Sequence, residues 1–475
     1  MHRGTEPVQS DEPYAGIRLT DVIGALSHAL DMAEGQPVGH SIRATMIGMR
    51  IGKVLGINES DHSALFYALL LKDLGSSSIS AQLTTVHGGD DRLHKAARRL
   101  NDWNDRSVAG KAISVVSGGR TRLVQGWQAL TASRATADAD QEMAVMRADR
   151  GAAIAAMLAM PAETCDAIRS IDERWDGSGT PQGLTRTAIP RLARIVGLAQ
   201  TVEVFEKAYD VGTAYDVVRR RSGKWFDPDL VAAFETMATD TAFWGEIRHA
   251  DTLASLRACE PPARVVYADE LRLDTVAEAF ARVIDAKSPF TARHSQNVSF
   301  LATRTAMELD LPAREIRALR RAALLHDIGK LGVGNRILDK NGPLTPQERI
   351  EMERHTRHTF DLLKDVPRFA RFAMLAASHH ERINGTGYHL GLAADELSLA
   401  ARVLCAADVC EALSAARPYR AAMPMEAVMQ HLRHAVVTEH LCPIAVEALT
   451  GWFEGLPTHP VHLSPAGDST SLFGI

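Results

Sequence analysis

The sequence repeats itself at a fixed distance. The segment GHSIRATMIGMRIGKVLGI, which contains His40, lies 254 residues before RHSQNVSFLATRTAMELDL, which contains His294, and ALLLKDLGS lies the same 254 residues before AALLHDIGK. Farther along, the offset becomes 208 and then persists: ERWDGSGTPQGL (Glu173 to Leu184) corresponds to ERINGTGYHLGL (Glu381 to Leu392), and Arg194 falls on Arg402. Two constant offsets separated by one insertion of 46 residues point to a duplicated domain, which supplies its own internal comparison. Shared Ala-rich composition does not account for the repeated glycine loop, because glycines inside helices are disfavoured by about 1 kcal/mol each.

The length of 475 residues suits two such units. An aromatic content of 5%, beside abundant Ala, Leu, Arg and Glu, favours helices over sheets. The expected fold is therefore all-α, with two tandem helical bundles packed on each other. They meet at the polar, proline-bearing joint RACEPPARVVYADE (Arg257 to Glu270). The first unit is expected over 17–256 with its insertion around 76–147, and the second over 271–455. Residues 1–16 and 456–475 read as disordered tails, rich in polar and turn residues without periodicity.

A net charge of -5 argues against wholesale binding of nucleic acid or anionic membranes. No apolar run approaches the roughly 18 residues of a membrane span, and the first residues lack an apolar signal core. The five cysteines are odd in number and form no CxxC pair, which argues against a disulfide framework or a thiolate zinc site. A cytoplasmic location is the expectation.

Chemistry concentrates in the second copy. His294, His326, Asp327, His355, His379, His380 and Asp408 stand in otherwise apolar helical text. Imidazole with carboxylate suits Fe, Mn, Zn or Ni better than Ca or Mg, which prefer all-oxygen shells. Seven groups exceed the four of a closed zinc site, so they suggest two divalent ions sharing a carboxylate, with positions left open for water and substrate. Lys330 lies four residues beyond His326 and three beyond Asp327, on the same face if the segment is helical. It would set a phosphate-binding ammonium beside the metals.

The first copy supports treating the seven as one unit. His40 and Asp73 remain, but His326 is matched by Lys72, His355 by Arg147, His379 by Ile171, His380 by Asp172 and Asp408 by Gln200. Lys72 and Arg147 place fixed positive charge where an ion would sit, so no metal pair is expected in the first half. His358, His389, His431, His434 and His440 read as ordinary solvated or hydrogen-bonded histidines.

LLHDIGK, the paired His379 and His380, the loop HHERINGTGYHLGL, the segment AADVCEAL and RPYR at Arg417 to Arg420 together resemble the HD-GYP branch of the HD phosphohydrolase superfamily. The resemblance covers roughly Val276 to Trp452, and the first half is similar to the same domain in degenerate form. It implies an HD-type helical fold and two or three metal ions, often iron or manganese. It also implies hydrolysis of cyclic di-GMP, a nucleotide second messenger. On the matching positions the seven residues would be ligands, with Asp327 bridging. Lys330 would touch the substrate phosphate, Gly387 and Tyr388 of the loop would bind substrate, and Arg417 with Arg420 would grip the outer phosphate and guanine region. The loop departs from the family pattern: the proline of its signature is His389, and the preceding aspartate is Asn384. Where some members carry a glutamate for a third metal stands Phe290, so two ions are expected.

In the expected mechanism a water shared by two cations ionises near neutral pH and attacks phosphorus in line, with Asp327 and Lys330 as the catalytic side chains. Neither a GxSxG elbow nor a P-loop is present to suggest another chemistry. Two further readings stand beside a cyclic dinucleotide phosphodiesterase. One is an HD phosphohydrolase acting on mononucleotides or (p)ppGpp. The other is a ligand-sensing or scaffold protein, in which the basic run from Arg92 to Arg122 either forms a solvated face or contacts an acidic partner. A homodimer is left open.

Overall fold

Helix signals in the sequence become helices with identifiable caps. The computed structural model describes residues 16–100, 134–250, 253–416 and 420–454. Thr345 and Glu348 form a reciprocal capping box ahead of the helix Pro346–Leu363, with proline at its first position, where no amide hydrogen is needed. Asn58, Asp269 and Ser398 accept hydrogen bonds from the first-turn amides of the helices Glu59–Leu71, Glu270–Asp285 and Leu399–Ser414.

Among the described residues the fold is helical except for one antiparallel pair of short strands, Ile17–Arg18 against Tyr267–Ala268. That pair joins the start of the first half to the segment expected to divide the halves. The joint is bound along its length: Leu19 N donates to Val266 O at 2.8 Å, Arg18 pairs with Glu260 at 3.2 Å, and Thr20 also bonds Glu260.

One continuous apolar core runs from Leu19 through the first half and into Val276, Phe280, Leu325, Ile328 and Phe372 of the second. A second core, built on Val298, Leu301, Val403, Leu404 and Leu449, belongs to the second half alone. The segment from Ala323 to Leu331 reaches both, with Ala323 in the second core and Leu325, Ile328 and Leu331 in the first. The first-half helix Leu19–Ala33 packs on the 3-10 turn Ile328–Gly332 and on the helix Pro346–Leu363. Substitutions in the first half therefore bear on the backbone that carries His326 to Lys330.

Within the inserted region the described elements are the helices Ser80–His87, Asp91–Leu100 and the N-terminal part of Arg134–Met157. The expectation of a solvated basic face holds for Arg98, which is exposed, and fails for Lys95 and Arg99. Lys95 is buried and bonded to Ala33 O, Ser80 and Asp91, and Arg99 is held by three carboxylates. Charge runs read as solvated in sequence become buried when counter-charges lie on distant segments, as Glu34 and Asp172 do here. Arg106, Lys111, Arg120 and Arg122, the tail ends and Arg417 lie outside the described residues.

Candidate metal centre

The seven ligand-type residues converge from six elements. His294 opens the helix His294–Glu308, His326 ends the helix Ala313–Leu325, Asp327 begins the following turn, and His355 lies in Pro346–Leu363. His379 and His380 follow the helix Ala370–Ala377, and Asp408 sits within Leu399–Ser414. Six of the seven are buried; His380 is half-buried. They form two groups, His294 with His326 and Asp327, and His355 with His379 and His380.

Asp327 stands between the groups. Its Oδ2 is 3.4 Å from Nε2 of both His294 and His326, and its Oδ1 is 3.5 Å from Nε2 of both His355 and His379. Asp408 faces both sides as well, with Oδ1 3.3 Å from His294 Nε2 and Oδ2 3.7 Å from His380 Nδ1.

The backs of the rings fix which nitrogen points inward. Nδ1 of His326, His355 and His379 donates to Ala323 O, Met352 O and Ala376 O at 2.7, 2.6 and 2.7 Å, and His294 Nδ1 donates to Glu411. With those protons committed, the neutral rings turn Nε2 lone pairs toward the centre. His355 Nε2 and His379 Nε2 then lie 3.1 Å apart with no proton to share, and His294 Nε2 and His326 Nε2 lie 3.2 Å apart with only the proton that the raised His294 holds. Asp327 Oδ1 is buried with no hydrogen-bond partner among the described residues. Converging lone pairs around an orphaned carboxylate oxygen are unfavourable unless cations stand between them, so the donor set fits metal ions.

The proton affinities agree. Burial, helped by the Lys330 ammonium, pulls His355 down to about 3, and burial lowers His379 and His380 as well, so these rings are neutral. Burial works against the charged forms of Asp327 and Asp408 too, but Lys330 and His326 hold the first, and His294 and His326 the second, well below the carboxylate range. His294 is the exception: burial is outweighed by Asp327, Asp408 and Glu411, which raise it. An incoming cation would therefore displace a proton there.

Lys330 reaches the same centre by a different route from the one its spacing suggested. The segment is a 3-10 turn, not a continuation of the helix, and the turn brings Lys330 Nζ to 2.5 Å from Asp327 Oδ2. Beside the centre lies a cavity of about 750 Å³ lined by Lys330, His294, Asp327, His380, Asp408 and Arg420. Arg420 donates to the carbonyls of Ala412, Leu413 and Ala421, capping a helix end with the guanidinium proposed for substrate. Gly387 and Tyr388 do not line this cavity. Gly387 is needed for packing, because a Cβ there would come within 2.4 Å of Glu381 Cα. Tyr388 packs its ring 4.9 Å from that of His380 and 6.3 Å from that of His355.

Sequence reasoning missed Glu411, which backs His294, and Phe290, Lys340 and Arg349 as cavity-lining side chains. The repeat held a signal for Glu411: the 208-residue offset maps Glu203 onto it, and Glu203 backs His40 in the same way. For Lys340 and Arg349 the first copy has no matching segment, since they fall where the offset changes.

The first half keeps the frame and changes the contents. Asp31 accepts from Ser41 N at 3.0 Å as Asp285 does from Ser295 N at 3.1 Å. A Cβ on Gly75 would lie 1.9 Å from Arg147 O, and one on Gly329 2.0 Å from His355 O. In place of imidazoles, Asp73 is contacted by Lys72, by Arg99 at 3.1 Å and by Arg147 at 3.2 Å.

The HD domain family matches residues 127–230 and 278–441 of the chain. The 3'3'-cGAMP-specific phosphodiesterase 3 of Vibrio cholerae serotype O1 is 35% identical over 455 residues, covering 95% of this chain and 98% of the relative. The cyclic di-GMP phosphodiesterase response regulator RpfG of Xanthomonas campestris is 38% identical over 154 residues, covering 32% of this chain and 41% of the relative. A solved structure of a cyclic GMP-AMP specific phosphodiesterase from V. cholerae matches with a TM-score of 0.63 at 33% identity, covering 93% of this chain and 99% of that one.

Proposed function

The chain belongs to the HD-domain family of metal-dependent phosphohydrolases, and from that premise we propose that its second half cleaves a phosphodiester bond of a cyclic dinucleotide at a pair of metal ions. One observation carries the assignment of the site: Asp327 directs its two oxygens at two separate groups of inward-facing imidazole nitrogens. In this reading His294, His326, Asp327 and Asp408 hold one ion, and Asp327, His355, His379 and His380 hold the other. Iron or manganese comes before zinc or nickel for such a nitrogen and oxygen set. When bound, two such ions lower the pKa of a shared water toward about 7 and offset charge on the phosphoryl oxygens.

The chain's own residues supply the rest. Lys330 offers an ammonium to a non-bridging phosphate oxygen at the cavity wall, and the carbonyl-anchored rings keep their nitrogens in place without reorganisation. Arg349 adds positive charge along the cavity, Lys340 lines it while paired with Glu348, and Phe290 gives it an apolar ring on which a base can stack. A volume of about 750 Å³ suits a ligand of dinucleotide size. Among cyclic dinucleotides, 3'3'-cGAMP is the first candidate, because the relative named for it matches 95% of this chain while the one named for cyclic di-GMP matches 32%.

We further propose that residues 17–256 and 271–455 are two copies of one helical domain. The recurring contacts of Asp31 and Asp285, His40 and His294, and Gly75 and Gly329 support that reading.

The test joins metal analysis of anaerobically purified protein to hydrolysis of 3'3'-cGAMP, cyclic di-GMP, a bis-aryl phosphodiester, mononucleotides and (p)ppGpp. Diester cleavage that disappears in a His326→Ala/Asp327→Ala variant is the expected result. Protein carrying about two ions per chain that leaves every diester intact would reject the reading.

A further inference from the structure

The first half holds a cavity of its own, about 330 Å³, above the ion pairs of Asp73. Its lining carries six Lys and Arg side chains against four Asp and Glu, so it is electropositive. Several of those charges are matched at short range: Arg99 by Glu34 and Asp172, Arg147 by Asp172, and Arg194 by Asp227. Arg98 is not; it is half-exposed and reaches Asp140 only at 4.0 Å. The Arg174 guanidinium lies 3.6 Å over the Trp225 ring at the wall. Gln200, where the second half has Asp408, is 5% exposed, lines the cavity, and its Oε1 has no hydrogen-bond partner among the described residues. A buried amide oxygen without a donor is costly, on the order of 1–3 kcal/mol, and is satisfied when a ligand brings one.

These features describe a complement: an anion toward Arg98 and Arg174, a donor toward Gln200, and a body at the small end of ligand-pocket volumes. We propose that the first-half cavity binds a nucleoside monophosphate as an effector, with the phosphate on the arginine side and an exocyclic amine or ribose hydroxyl donating to Gln200 Oε1.

A physical route joins this cavity to the catalytic loop. The ten-residue helix Asp91–Leu100 supplies Arg98 and Arg99 to the cavity from its C-terminal end. At its N-terminal end Asp91 accepts from Lys287 Nζ at 3.2 Å and from Asn335 N at 2.9 Å, and Arg92 donates to Gly332 O. Gly332 ends the turn that bears Lys330, and Lys287 lines the catalytic cavity. A displacement of this rod by a ligand at one end is delivered to the substrate-facing turn at the other.

The test is equilibrium dialysis and calorimetry of the full metal-loaded chain with GMP, AMP and inorganic phosphate, together with diester hydrolysis in the presence of each. GMP or AMP should saturate a site that survives Asp327→Ala and is weakened about tenfold or more by Arg98→Glu and by Gln200→Leu. The same nucleotide should change kcat in wild type and leave it unchanged in Gln200→Leu. The proposal is overturned if no nucleotide binds saturably, if binding is lost with Asp327→Ala but kept in Gln200→Leu, or if bound nucleotide leaves kcat unaltered. Failure of the effector site leaves the diesterase assay on the second half unaffected, so the two readings fail separately.

Discussion

Arg147 Nη2 lies 3.2 Å from Asp73 Oδ1, and the two residues stand at the positions that correspond to His355 and Asp327 in the second half. The same buried carboxylate is thus met by a guanidinium in one half and by imidazole nitrogens in the other. Lys72 covers the other oxygen of Asp73. A carboxylate this deeply buried requires positive charge nearby. The first half supplies it from Lys72, Arg99 and Arg147; the second supplies Lys330 at one oxygen and turns the other, Asp327 Oδ1, toward imidazole nitrogens, where the proposed metal ions would stand.

Removing the bridging charge should therefore empty the second site. Asp327→Ala is expected to lower metal content below one ion per chain and diester hydrolysis by more than about a hundredfold, while far-UV circular dichroism stays close to wild type. Elemental analysis and a hydrolysis assay measure both. A variant that keeps its full complement of ions would contradict the bridging role.

Glu411 acts one step behind the ligands. It holds Nδ1 of His294 and, with Asp327 and Asp408, raises the basicity of that ring. Glu411→Gln should weaken metal retention against a chelator by about tenfold to a hundredfold, with a parallel fall in kcat and little change in KM. Unchanged chelator resistance would remove Glu411 from the centre.

The convergence of the seven His and Asp side chains was legible because they stand out in apolar helical text and because the first half lacks five of the seven together. The helical character was legible from composition. Other features depended on tertiary contacts that spacing does not encode. Lys330 approaches Asp327 through a 3-10 turn rather than a helical face, and Arg420 turns its guanidinium to a helix end. Lys95 is buried against Asp91, Ser80 and the Ala33 carbonyl, and Arg99 is largely covered because its counter-charges come from residues as distant as Glu34 and Asp172. Gly387 and Tyr388, expected at the substrate, have packing contacts that the loop sequence does not announce: the glycine against the Glu381 backbone and the tyrosine beside the His380 and His355 rings.

The close approach of Gly329 to the His355 carbonyl predicts a steep cost for one methyl group. A Cβ at 329 would lie 2.0 Å from His355 O and 2.8 Å from Thr359 N, both backbone atoms. Gly329→Ala should destabilise the chain by about 1–3 kcal/mol or more and weaken metal binding, because the displaced segment carries a ligand. Gly245, inside the helix Thr241–His249 with open space around it, is the control. Gly245→Ala should be neutral or stabilising by up to about 1 kcal/mol. Equal urea midpoints for the two variants would show that the contact is absent in solution.

The last prediction concerns the seam between the halves and has a definite sign. Burial pulls the Lys287 ammonium down to about 8 from its ordinary 10.5, against the Asp91 carboxylate 3.2 Å away, which favours the charged form. Below pH 8 both the folded and the unfolded chain hold this proton, so the cost of burying the charge is complete. Between pH 8 and 10.5 the folded chain has released it while the unfolded chain still binds it, and stability contributed by this residue rises with pH. The slope is at most roughly 1.4 kcal/mol per pH unit. Lys287→Met lacks that titration, and Asp91, held well below the carboxylate range against its burial by Lys287 first and then by Lys95 and the Asn335 amide, keeps the last two partners in the variant. Urea unfolding of wild type and Lys287→Met from about pH 7 to pH 10 should therefore give stability curves that diverge above pH 8 in favour of wild type. Parallel curves would mean that the ammonium is solvated and that the halves do not close over it.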